Sequence, residues 1–82
     1  MNVYFITFRS VTLAQRGESM LRREGIDCQI LRTPRWMEEQ GCGYCLRLRR
    51  DEMDEVMEIL RKEKVQFRRV YRQRDDGNVV AL

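Results

Sequence analysis

Three cysteines hold most of the chemistry available to this chain, and two of them sit close together in Gly41-Cys42-Gly43-Tyr44-Cys45. A thiolate is both a nucleophile and a soft metal ligand. The C-x-x-C spacing of Cys42 and Cys45 admits three chemistries: thiol–disulfide exchange, zinc binding, or nucleophilic work by a single cysteine. Exchange of the thioredoxin type places the first cysteine at a helix N-terminus, where the dipole lowers the thiol pKa. Here the residues after Cys42 alternate as a strand does. A zinc site needs a second pair of ligands. The chain has one further cysteine, Cys28, and no histidine. In a strand starting at Cys42, the two thiols point to opposite faces and meet only if Gly43 makes a turn or bulge.

What remains is Cys42 as a lone nucleophile on a turn framed by Gly41 and Gly43. Glycine tolerates unusual backbone conformations and lets a partner approach the main chain. Nearby positive charge favours the thiolate, and Arg35 and Arg47 can supply it. Such a site suits a carrier that accepts sulfur as a persulfide and hands it on. That transfer needs exposure more than a deep pocket or a general base, so the absence of histidine is no obstacle. No metal and no cofactor are expected. The competing reading is an incidental surface thiol.

The elements that must position this loop follow from periodicity. Val3-Tyr4-Phe5-Ile6-Thr7-Phe8 is β-branched and aromatic and apolar on both faces, as a central strand is. A helix follows, with Thr12 and Gln15 matching a capping box and Leu13, Ala14, Gly17, Met20 and Leu21 on one face. Gly17 on that face implies close helix–sheet contact. Gly25 ends the helix. Ile26 to Arg32 reads as a second strand with Ile26, Cys28 and Ile30 on its core side. Pro34 stops it. Tyr44 to Arg49 alternates: Tyr44, Leu46 and Leu48 share one face, and Cys45, Arg47 and Arg49 the other. Asp51 is the expected cap of a second helix with a Met53, Val56, Met57 and Leu60 stripe and an outward Glu58–Lys62 pair. Val65 to Arg72 reads as the last strand. Residues 73–82 are expected to form a polar, mobile tail whose apolar end, Val79 to Leu82, has no assigned place. No internal repeat stands out.

The order β-α-β-β-α-β is the split β-α-β of ferredoxin-like folds: an α+β domain over residues 1–72, with a four-stranded antiparallel sheet and two helices on one face. The chain has 82 residues, enough for one domain. Its formal net charge is +3, a weak pull toward nucleic acid. No apolar run has the length of a membrane span. The N-terminal residues lack the features of a signal peptide, and the odd cysteine count argues against a disulfide framework. The expected location is cytoplasmic.

Thr33-Pro34-Arg35, a spacer, Gly41-Cys42-Gly43 and an alternating strand through Leu46-Arg47 resemble the selenium/sulfur carrier protein-like family of small bacterial domains, long listed as of unknown function. The resemblance runs from the first strand to Tyr71. It implies that Cys42 carries the sulfur or selenium and that Pro34 and Arg35 match the family's proline and arginine. By the same resemblance, the partner is a TusA-like sulfur-transfer protein or a cysteine desulfurase, and the chain is at most a sulfurtransferase-like relay. The Trp36-to-Gln40 spacer is bulkier and more acidic than the family's, and Cys45 departs from its pattern. Cys45 opens the option of a disulfide with Cys42 that resolves a persulfide. Two other functions compete. One is an interaction domain that forms a homodimer through the open sheet face, with Cys42 incidental. The other is an RNA-binding module, which the third strand disfavours because it lacks base-stacking aromatics.

Overall fold

A computed structural model of the chain describes residues 1–34 and 43–82. Seven elements follow in order: β1 (Asn2–Phe8), α1 (Val11–Arg23), β2 (Gln29–Arg32), β3 (Tyr44–Arg50), α2 (Asp54–Lys62), β4 (Val70–Gln73) and β5 (Val79–Ala81). The strands form one antiparallel sheet in the order β2-β3-β1-β4-β5. Its first four strands have the split β-α-β arrangement, with β1 central as its two apolar faces require.

Register decides what each face carries. Tyr4, Ile6 and Phe8 lie opposite Leu48, Leu46 and Tyr44. Both helices cover this side, α1 through Ala14, Gly17 and Leu21, and α2 through Val56, Ile59 and Leu60. Gly17 is needed for the close approach. A Cβ there would sit 3.1 Å from Phe8 Cζ and 3.2 Å from Leu46 Cδ1. The other face carries Val3, Phe5 and Thr7 of β1 beside Arg49, Arg47 and Cys45 of β3.

The helix ends share one device. At α1, the Ile26 N–H donates to the Leu21 carbonyl at 2.9 Å and the Gly25 N–H to Arg22 at 3.0 Å. At α2, the Val65 N–H donates to Leu60 at 2.9 Å and the Lys64 N–H to Arg61 at 3.1 Å. This double closure puts the residue after the cap in the left-handed region: Gly25 at φ 78° and Lys64 at φ 56°. Ile26 and Val65 then turn back into the core, both buried.

Several expectations change. The sheet has five strands, not four: Val79–Ala81 pairs with β4. The turn that allows this lies in Asp75-Asp76-Gly77-Asn78. Gly77 has φ 91°, Asp76 Oδ1 accepts from the Asn78 N–H, and the Asn78 carbonyl accepts from Arg74. The second strand starts at Gln29, because Ile26 is spent on closing the helix. The last strand starts at Val70, because Val65 does the same for α2. Ser10, not Thr12, caps α1, its Oγ accepting from the Leu13 N–H at 3.3 Å. The residue at the start of α2 is Met53, with no side-chain cap, and Asp51 lies two residues earlier. Glu58 pairs with Arg61 at 2.9 Å, one turn position before the expected Lys62.

Candidate functional site

Strands β2 and β3 are the elements on either side of the stretch that contains Cys42 in sequence. Arg32 pairs with Tyr44 in the ladder, and its guanidinium lies over the Tyr44 ring, 5.8 Å from the centroid. One step further out, the Thr33 N–H donates to the Gly43 carbonyl at 3.1 Å. The ladder thus continues to Thr33, one residue before Pro34, and to Gly43, the first described residue after the undescribed stretch. Arg35, Gly41 and Cys42 lie outside the described residues. Gly43, the chain neighbour of Cys42, is half-buried and fixed by this bond.

Cys45 lies on the sheet face away from the helices, between Leu31 of β2 and Thr7 of β1. It is fully buried, and so is Thr7. Burial raises the Cys45 thiol above its ordinary value, partly offset by the nearby Thr33 hydroxyl. The Thr33 oxygen itself is buried without a well-formed hydrogen bond among the described residues. Thr7 is satisfied: its Oγ1 accepts from the Arg69 N–H at 3.0 Å and donates to the Arg69 carbonyl at 3.3 Å. Thr7 flanks Cys45 from β1 and Thr33 from just past the end of β2, and only register, not local sequence, brings them there.

Cys28 is in the core, as its place among Ile26 and Ile30 predicts, with 6% of its surface exposed. Its thiol is pushed up to about 11, chiefly by burial and then by the Glu18 carboxylate, with Arg22 opposing and Asp27 adding. A thiol held that high is almost wholly protonated near neutral pH and is a poor nucleophile.

Arg47 is half-buried and pairs with Gln29. Four residues along β3 from Gly43, its Cα stands about 13 Å from the loop base. It lines a shallow groove with Glu18, Arg22, Asp27, Cys28 and Arg49. Its place on the Cys45 face is the one the alternation predicts.

Among the described residues, no group of three or more Cys, Asp or Glu side chains is placed to hold a metal ion. No helix among them is long and apolar enough to cross a membrane.

An antiparallel sheet with a ferredoxin-like arrangement of its first four strands and two helices on one face defines a small α+β domain. The chain belongs to the family described as "Putative Se/S carrier protein-like", whose profile matches residues 3–72. The match takes in every element but the last strand, short of one end residue each of β1 and β4. No curated protein and no solved structure matches the chain.

Proposed function

We propose that the chain is a sulfur or selenium carrier that holds the transferred atom on Cys42. The observation that carries this reading is the fate of the other two thiols. Cys28 and Cys45 are buried and both are raised in pKa, so each lacks the access and the thiolate fraction that transfer requires. Family membership supplies the class of cargo.

In the transfer step, the Cys42 thiolate attacks the outer sulfur of a persulfide on the donor's cysteine. A new S–S bond forms at Cys42, and the donor's S–S bond breaks. The donor cysteine leaves as a thiolate and takes up a proton. Delivery runs the same exchange onward: an acceptor thiolate attacks the outer sulfur, a new S–S bond forms on the acceptor, and Cys42 leaves as a thiolate. A selenium atom takes the same path. Arg35 is the residue we assign to favouring the thiolate, since Arg47 is fixed to the strand at a distance from the loop base. Gly41 and Gly43 frame the approach. Cys45 serves at most as a secondary, resolving thiol, and it must first become accessible.

The test is intact mass after incubation with a cysteine desulfurase and cysteine. Wild type and Cys45→Ser should gain the mass of one sulfur, and Cys42→Ser should not. Equal loading of Cys42→Ser and wild type would overturn the assignment and favour an interaction domain with an incidental thiol. Arg35→Ala should slow alkylation of Cys42 near neutral pH, since loss of the cation raises the thiol pKa.

A further inference from the structure

The geometry points to a docking surface for an acidic protein segment, built from Arg9 and the Gln66-to-Arg69 stretch. It rests on the carrier reading, in which the loop must meet a protein donor or acceptor. Arg9 and Arg69 are 60 positions apart in sequence, yet the fold brings them to one end of the sheet. Arg9 follows the last residue of β1, and Arg68 and Arg69 bond to Thr7 of that strand: the Arg68 N–H donates to the Thr7 carbonyl at 2.7 Å. Together with Val65, Gln66 and Phe67, these arginines line an open depression of about 650 Å³, with no acidic residue in its lining. The side chains of Arg9 and Arg69 form no ion pair among the described residues. Phe67 stands beside them 41% exposed, an aromatic that the core does not use. The first turn of α1, which starts next to Arg9, holds no acidic residue, so its positive end adds to the field.

The depression lies at the end of the sheet from which the loop leaves. Phe8 pairs with Tyr44, and Gly43 follows. β3 and β4 flank β1, so the loop base and the Arg68-Arg69 segment are roughly 10 Å apart across the sheet. A protein held at the arginines therefore stands close to Thr33 and Gly43, from which the Cys42 stretch departs in sequence.

Arginines around an exposed aromatic are the composition of an interface anchor. The distribution of charge favours a protein over nucleic acid. The opposite end of the sheet carries Asp51, Glu52, Asp54 and Glu55, of which Asp51 and Glu55 pair with the Met1 amine and Arg50, in a molecule only 30 × 28 × 18 Å. A nucleic acid strand tracking across the domain meets those carboxylates, whereas a compact acidic patch with one apolar side chain does not. Arginine forks pair bidentately with carboxylates, and Phe67 receives the apolar residue.

The experiment is a titration of the full chain, followed by amide NMR shifts. The probe is a short synthetic peptide of aspartate and glutamate with one central leucine, and a parallel titration uses single-stranded oligouridylate. Peptide shifts should centre on Arg9 and Gln66 to Arg69, and shrink with added salt. Arg9→Glu with Arg69→Glu should weaken binding roughly tenfold, the neutral Arg9→Gln with Arg69→Gln pair should weaken it less, and Arg74→Glu should leave it unchanged. Absence of shifts, shifts centred elsewhere, or an equal effect of Arg74→Glu overturns the proposal. Tighter binding of oligouridylate at the same residues also overturns it, in favour of a nucleic-acid surface. The titration involves no sulfur, so its failure leaves the Cys42 loading assay to stand or fall separately.

Discussion

Lys64 occupies a backbone conformation that glycine fills at the equivalent position of the other helix. At φ 56° it lies in the left-handed region, and Gly25 at φ 78° does the same at the end of α1. A residue with a Cβ loses about 1–2 kcal/mol there. Glycine avoids that cost but gives up about 0.4–1 kcal/mol to the freedom of the unfolded chain. The difference leaves glycine ahead by about 0.5–1 kcal/mol. Replacing Lys64 also removes a cation near the C-terminal end of α2, worth about 0.3–1 kcal/mol, so Lys64→Gly alone mixes two effects. Lys64→Ala loses the same charge and keeps the strain. The comparison of Lys64→Gly with Lys64→Ala therefore isolates the backbone, and Gly25→Ala measures the same quantity from the other side. Thermal and urea unfolding followed by circular dichroism should place Lys64→Gly above Lys64→Ala by about 0.5–1 kcal/mol. In a domain of this size that is roughly 2–8 °C in Tm. Gly25→Ala should fall below wild type by a similar amount. If Lys64→Gly is no more stable than Lys64→Ala, or Gly25→Ala costs nothing, the left-handed closure is not what holds these chain reversals.

Thr7→Val keeps the shape of the side chain but removes the acceptor of the Arg69 N–H, and should cost about 1–3 kcal/mol in urea unfolding. A neutral result would mean that water replaces the hydroxyl. Gly17→Val should cost about 1–3 kcal/mol, because the added carbons enter the space held by Phe8 and Leu46; an unchanged Tm would contradict the packing described. Cys28 gives a pH dependence. Its folded pKa is raised from 9.0 to about 11. The native state therefore keeps the proton longer than the unfolded chain. The contribution to stability is intact below pH 9.0 and is lost as pH rises through about 11. Cys28→Ala should flatten the alkaline fall in stability, and an identical fall in both proteins would assign it to other groups.

The fold was legible where residue type and conformation agree. Alternation around Leu46 and Leu48 gives β3 and its two faces, and Gly25 marks the end of α1 by its own chemistry. The second helix end was hidden because a lysine fills the glycine's place. Once the two closures are superposed, Leu21-Arg22-Arg23-Glu24-Gly25-Ile26 and Leu60-Arg61-Lys62-Glu63-Lys64-Val65 are a short repeat, six residues long, that similarity alone did not expose. Both apolar closing residues look like the start of a strand in sequence, so alternation overextends the second and last strands at their N-terminal ends. The fifth strand had a signal in Asp76-Gly77-Asn78, a turn sequence between two apolar stretches, outweighed by the polarity around it. Of the candidate site, the Cys45 and Arg47 face followed from alternation. The threonines beside Cys45 and the gathering of Arg9 with Arg68 and Arg69 did not, because each depends on which strands become neighbours.

The bond between Thr33 and Gly43 also bears on how such a domain can change over time. It extends the β2–β3 ladder by one further bond, so the register of these strands is set by pairings outside residues 34–42. Lengthening a closed loop is cheap: a doubling costs only about 0.6 kcal/mol in chain entropy. By chain entropy alone, an insertion between Pro34 and Cys42 is thus a small cost. Under the proposed carrier role, selection for a different partner would act on that segment while the scaffold beneath it keeps its register.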